Sequence, residues 1–124
     1  MLTRIDSRLK WNDTQIDVVA GLTYEYGADG YWTDWTRECD ADGYSDPKLD
    51  MFSVLKRCRA ALWFQLVAAV DQKPHHTIVL GCSGQFIAPA SGRLWAYAND
   101  AAFAYWNNKG SLALTVHPTR TTNP

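Results

Sequence analysis

Two runs decide the fold: Gly92-Arg93-Leu94-Trp95-Ala96-Tyr97-Ala98 and Ser111-Leu112-Ala113-Leu114-Thr115-Val116. In an extended chain alternate side chains share a face, so Leu112, Leu114 and Val116 line one side of a half-buried strand. The first run is β-prone in the same way. Between them lies Asn99-Asp100-Ala101-Ala102-Phe103-Ala104-Tyr105-Trp106-Asn107-Asn108-Lys109-Gly110, which gathers hard oxygen donors on Asp100, Asn107 and Asn108 with Trp106 beside them. Calcium binds about six to eight such oxygens with loose geometry. The same residues also serve as ordinary turn formers, because Asn and Asp bond their own backbone and tolerate left-handed conformations. Both readings stand at this point.

Working outward, turn signals recur at Asn12-Asp13, Gly27 to Gly30, Asp42-Gly43, Asp46-Pro47, Lys73-Pro74, Gly81 to Gly84 and Pro89 to Gly92. Leu22 to Tyr26 and Thr77 to Leu80 are further short strands. Short strands at such intervals predict an all-β sandwich or jelly roll. Leu49 to Val70 resists the pattern, since Met51, Leu55, Leu62, Leu66 and Ala69 fall near helical spacing. A helix through the whole segment is one reading. A helical turn around Asp50 to Arg57, followed by a buried strand, is the other. Residues 118–124 read as a frayed tail behind one domain spanning 1–117.

The chain has 124 residues, enough for one sizeable core, and a net charge of −1. Nothing is basic enough to follow a phosphate backbone, so nucleic acid is not expected as a partner. Lys56-Arg57-Arg59 reads as a solvated face. Ala60 to Val70 is too short for a membrane span, and no membrane insertion is expected. The start, Met1 to Asp6, lacks the basic-then-apolar order of a secretory signal, which predicts a cytoplasmic location unless export uses another route. Cys39, Cys58 and Cys82 are widely spaced and form no C-x-x-C pair, so reduced thiols are the default, one disulfide being left open. Six Trp and six Tyr are the unusual feature. Most of the indoles should fill the core, with one or two lining a site.

Catalytic constellations are thin, and no enzyme is predicted. Gly81-Cys82-Ser83-Gly84-Gln85 departs from a nucleophile elbow because Gln85 replaces the last glycine. His75-His76 reads as a surface loop pair. Asp40-Ala41-Asp42-Gly43 looks like the start of a calcium loop, but an EF-hand needs Glu where Met51 stands.

From Phe86-Ile87-Ala88-Pro89-Ala90-Ser91-Gly92-Arg93-Leu94 through Asn99-Asp100 to Asn107-Asn108-Lys109-Gly110-Ser111, the chain resembles the bacterial PA-I-type galactophilic lectins. The likeness reaches upstream through Val19 to Gly27 and Trp32, and through Arg37 to Gly43, with an insertion between Tyr44 and Ala60. It implies a small jelly-roll β-sandwich with a calcium ion at one end that coordinates two sugar hydroxyls. It aligns Ala61 to Val67 with a strand and so favours the split reading, with a short helix near 48–58. By resemblance the calcium ligands are the side chains of Asp100, Asn107 and Asn108 and the main-chain oxygens of Tyr26 and Ala104. The family's sugar-contacting histidine and glutamine align with Cys39 and Asp42. Asp42 can still accept hydroxyl hydrogen bonds, whereas Cys39 is a poor substitute. Trp32 or Trp106 would supply an aromatic face.

The expectation is therefore a non-enzymatic, calcium-dependent domain for galactose or a related glycan, with Ca2+ as cofactor and homo-oligomerisation left open. The alternative is a sandwich of the same fold that serves structure or protein interaction without binding sugar.

Overall fold

The computed structural model describes residues 2–119. Ten strands form two antiparallel sheets: β1 (Leu2–Asp6), β2 (Asn12–Val18), β3 (Thr23–Asp29), β4 (Trp32–Asp34), β5 (Arg37–Cys39), β6 (Leu66–Val70), β7 (Thr77–Val79), β8 (Ser83–Ile87), β9 (Gly92–Ala98) and β10 (Asn108–Pro118). One sheet runs β5-β4-β10-β3-β8, with β1 also paired to β10, and the other runs β2-β9-β6-β7. The chain is thus an all-β sandwich, as its alternating runs require. Leu112, Leu114 and Val116 of β10 pack inward against Leu66, Ala68 and Val70 of β6 and Leu94 of β9 in one core.

β10 organises the first sheet. β3 pairs with its second half, Asp29 opposite Ala113, and β4 pairs with its first residues, Trp32 opposite Gly110 and Asp34 opposite Asn108. β4 therefore continues β3 in unbroken register along one edge of β10. Gly110, at φ +87°, permits the close approach: a Cβ there would sit 3.1 Å from Trp32 Cα. The strand runs to Pro118, and Thr119 N–H donates to Thr23 O at 3.0 Å, so the expected fraying at 118 and 119 does not occur. The remainder of the expected tail lies outside the described residues.

The segment 49–70 takes the split form, with shifted boundaries. A 3-10 helix spans Pro47–Leu55, started by Asp46, whose side chain accepts from Lys48 N–H, and by Pro47 in its first turn. The strand begins only at Leu66, so Ala61 to Gln65 are irregular rather than extended. β6 is buried at every residue because both faces are covered. Leu66, Ala68 and Val70 face the sandwich core, while Val67 packs with Ala61 and Tyr97 under Cys58 and Trp11. Helical spacing misled here because an all-buried strand has no alternation to display.

Two further expectations are corrected. Of the six indoles only Trp32 and Trp63 are buried, whereas Trp35 and Trp106 are largely exposed. The basic cluster is not simply a solvated face: the Arg57 guanidinium lies 3.5 Å from the Tyr97 ring centroid and 4.7 Å from that of Trp11, and it donates to Tyr105 Oη at 2.8 Å. No helix among the described residues is long and apolar enough to cross a membrane.

Asn99, fully buried, ties the irregular segment to β9. Its Nδ2 donates to the carbonyls of Cys58, Ala61 and Leu62, and its Oδ1 accepts from Cys58 N–H. Its backbone adds two bonds, to Phe64 N–H and Gln65 O. Removing the amide would leave the Cys58 N–H and the carbonyls of Cys58 and Leu62 without this partner. Asn99→Ala should lower the unfolding free energy by about 2–4 kcal/mol. Urea denaturation checks this; a loss below about 0.5 kcal/mol would show that the amide is not the pin.

Candidate functional site

Beyond Asn99 the chain leaves β9 and drops Asp100 into the interior, 3 % exposed. Its Oδ1 accepts from Ala101 N–H at 2.7 Å, and its main-chain oxygen accepts from Arg57 N–H at 3.2 Å. The turn then closes through Ala104 N–H to Ala101 O, and a 3-10 turn spans Tyr105–Asn107. Tyr105 anchors that turn: it is buried, donates to Ala98 O and accepts from Arg57. Asn108 is thereby carried back beside Asp100.

Asn108 is 1 % exposed, and its Nδ2 donates to Ser7 O at 2.8 Å. A carbonyl only accepts, so this bond dictates which end of the amide is nitrogen. Oδ1 must face the other way. That oxygen, Asn107 Oδ1 and Asp100 Oδ2 are all buried side-chain acceptors without a hydrogen-bond donor. Each unsatisfied buried acceptor costs about 1–3 kcal/mol. Three together rival a large part of a domain's stability, about 5–15 kcal/mol. Carboxylate and carboxamide oxygens of this kind are donor types that calcium prefers.

The charge environment agrees. Burial first, and the charge of Asp34 second, push the Asp100 carboxyl up to about 6, and the Ala101 N–H and the Asn108 amide pull it back only partly. Asp34 lies opposite Asn108 on β4, and its Oδ2 accepts from Tyr44 Oη–H at 2.6 Å. Burial, and then that same bond to Asp34, raise the Tyr44 hydroxyl far above its ordinary range. Asp34 was not apparent from sequence, because only the β4–β10 register brings it here. Asp34, Asp100 and Ala104 line a cleft of about 340 Å³ whose other walls include Leu49, Phe52 and Trp63. The Trp63 Nε1–H is buried and has no acceptor.

The sequence-derived site divides in two. Asp100 and Ala104 line one cleft, and Asn108 lies beside Asp100. Tyr26 does not: it pairs with Val116, eight residues along β10 from the Asn108 pair, roughly 26 Å at the usual rise. Its carbonyl cannot join the others. Tyr26 stands instead near Asp42 and Cys82, whose charges follow burial in raising its hydroxyl. Asp42 is likewise elsewhere, since its Oδ1 accepts from Cys82 N–H at 2.8 Å and it clusters with Asp40 and Cys82. Asp40-Ala41-Asp42-Gly43 is a turn in which Asp40 Oδ1 accepts from Asp42 N–H. Trp32 is core, fully buried, and its Nε1 donates to Phe64 O at 3.1 Å, so it offers no face to a ligand. Cys39 sits opposite Trp32, half-buried, its thiol pushed up to about 12 by burial and then by Asp40 and Asp34. Trp106 remains available, 75 % exposed beside Asn107. Ser83 opens β8 rather than a strand-to-helix turn, and His75 and His76 occupy a short 3-10 turn.

No protein-family model matches the chain. No curated protein matches it either. Among solved structures the fold is similar to one described as the EclA N-terminal domain, a PllA-like lectin, with a TM-score of 0.72 over 95 % of each chain and 16 % sequence identity. At that identity the likeness speaks for the sandwich architecture.

The raised Asp100 carboxyl has a consequence with a definite sign. Between the ordinary carboxylate range and about pH 6, the folded chain keeps a proton that the unfolded chain has released. Stability from this group is therefore greatest at low pH and falls as pH rises through that window. In chelator, wild type should lose more stability than Asp100→Asn between about pH 4 and about pH 7. Parallel pH profiles for the two proteins would contradict the assignment.

Proposed function

We propose that the chain is a calcium-dependent carbohydrate-binding domain, with galactose or a related glycan as ligand. The observation that carries this reading is the trio of buried acceptor oxygens on Asp100, Asn107 and Asn108. These side chains, with the main-chain oxygen of Ala104, would hold the ion. A bound calcium ion supplies open coordination positions that take vicinal hydroxyls, which are weak ligands by themselves. The lectin-like architecture is compatible with this use.

The chain's own residues would do the rest. With an ion bound, Asp100 would be held as the carboxylate, so uptake below neutral pH would release protons. Trp106 presents an exposed indole whose face suits the C–H side of a sugar ring. No residue in the cluster is arranged as a nucleophile with a base, and the proposed activity is binding without chemistry.

The second reading, a sandwich used for protein interaction, is favoured by one feature. The 3-10 helix Pro47–Leu55 exposes Met51, Phe52, Val54 and Leu55, and Phe103 is exposed across the cleft. Solvent-facing apolar clusters of this kind often meet a partner.

Calcium at about 100 times its Kd should stabilise the fold by about 2.7 kcal/mol. Differential scanning fluorimetry reads this as a rise in Tm that EDTA reverses. On a glycan array, binding to galactosides should disappear with chelator. An unchanged Tm at millimolar calcium, with an array blank in both conditions, would favour the interaction reading.

A further inference from the structure

We propose that Asp34 is a fourth side-chain ligand of the cation site, which makes the site dianionic and selective for multivalent cations. This inference rests on the calcium reading above and adds a residue that no motif in the chain assigns.

The placement follows from register. Asp34 is directly opposite Asn108 across the β4–β10 pair, so the two side chains leave the same face of the sheet. Directly opposed residues have Cβ atoms about 4.5–5.5 Å apart. Two oxygens bound to one calcium ion, each at about 2.3–2.6 Å, lie within about 5 Å of one another. Asp34 thus stands within the span of a coordination sphere that includes Asn108 Oδ1. It also lines the same cleft as Asp100 and Ala104.

The state of its carboxylate points the same way. Oδ2 is held by the Tyr44 hydroxyl at 2.6 Å, which leaves Oδ1 for another partner. No lysine or arginine among the described residues forms an ion pair with Asp34 or Asp100. The nearby Arg37 is committed elsewhere: its guanidinium stacks 4.1 Å from the Tyr44 ring centroid and pairs with Asp46 at 3.1 Å. Two carboxylates line one cleft, and the buried Oδ2 of Asp100 and Oδ1 of the neighbouring Asn108 have no donor. A multivalent cation completes the charge balance that the protein leaves open.

Tyr44 is the positioning residue. Gly43 precedes it at φ +71°, where a Cβ would collide with Trp63 O and Gln65 N, so only glycine brings the chain this close to the segment before β6. Tyr44 N–H then donates to Trp63 O at 2.8 Å, and the ring carries its hydroxyl to Asp34. Such a hydrogen bond orients a ligating carboxylate before the ion arrives.

Isothermal titration of calcium into wild type, Asp34→Asn, Asp100→Asn and Tyr44→Phe tests the assignment. Asn at position 34 keeps an acceptor for Tyr44 and loses only the charge. Calcium affinity should fall about tenfold or more in Asp34→Asn, be lost in Asp100→Asn and fall less in Tyr44→Phe, since ligand charge sets affinity at such sites. Wild-type binding with an unchanged Kd in Asp34→Asn would overturn the role of Asp34 and leave the calcium reading standing. No binding by wild type would overturn both. Should Asp34→Asn fail to fold, wild-type crystals soaked with terbium decide the matter by anomalous scattering. An ion within about 2.6 Å of Asp34 Oδ1 supports the proposal, and an ion bound to Asp100 but remote from Asp34 overturns it.

Discussion

The fold buries electron-rich oxygens that no donor in the protein answers. Asp100 Oδ2, Asn107 Oδ1 and Asn108 Oδ1 are buried with no donor. Protein interiors avoid such groupings because each unpaired group forfeits its hydration without return. A proton on Asp100 relieves part of the mismatch, and burial accordingly raises that carboxyl. A cation held there, as proposed, would compete with that proton for the carboxylate.

Holding these oxygens in opposition requires rigid surroundings, and the surroundings are built from long-range bonds. Asn99 locks residues 58–62 against the end of β9. Arg57, stacked on Tyr97 and bonded to Tyr105, links that segment to the turn that carries Asn107. Ser7, from the far end of the sequence, fixes the orientation of the Asn108 amide. Each of these supports comes from a different element of the chain. Stability and site geometry are coupled.

How much of this was legible beforehand depends on whether local pattern or distant pairing was decisive. Alternation in Leu112, Leu114 and Val116 gave β10 directly, and Gly92 to Ala98 gave β9 with its bounds. The donors Asp100, Asn107 and Asn108 were visible because they sit in one short stretch. Tyr26 was misplaced because β3 and β4 run in a single register along β10, and only the pairing reveals that Asp34, not Tyr26, reaches Asn108. Trp32 looked available for a ligand because an indole suits both surface and core; its burial follows from the inward face of β4 and the bond to Phe64 O. Asp42 has turn chemistry that sequence could detect, but its attachment to Cys82 N–H depends on tertiary contact. The 47–55 helix was foreseen in kind, though the strand after it starts later because Phe64, at φ +60°, redirects the chain just before β6.

The proposed cation site requires the side-chain oxygens of Asp100, Asn107 and Asn108 to act on a single ion. The carbonyl and carboxyl 13Cγ resonances of these residues report on it atom by atom. Titrated with calcium, all three should shift along one saturation curve with a shared Kd, while the Asp42 signal stays still. Three resonances that do not move at millimolar calcium, or that move with unrelated affinities, would contradict the account.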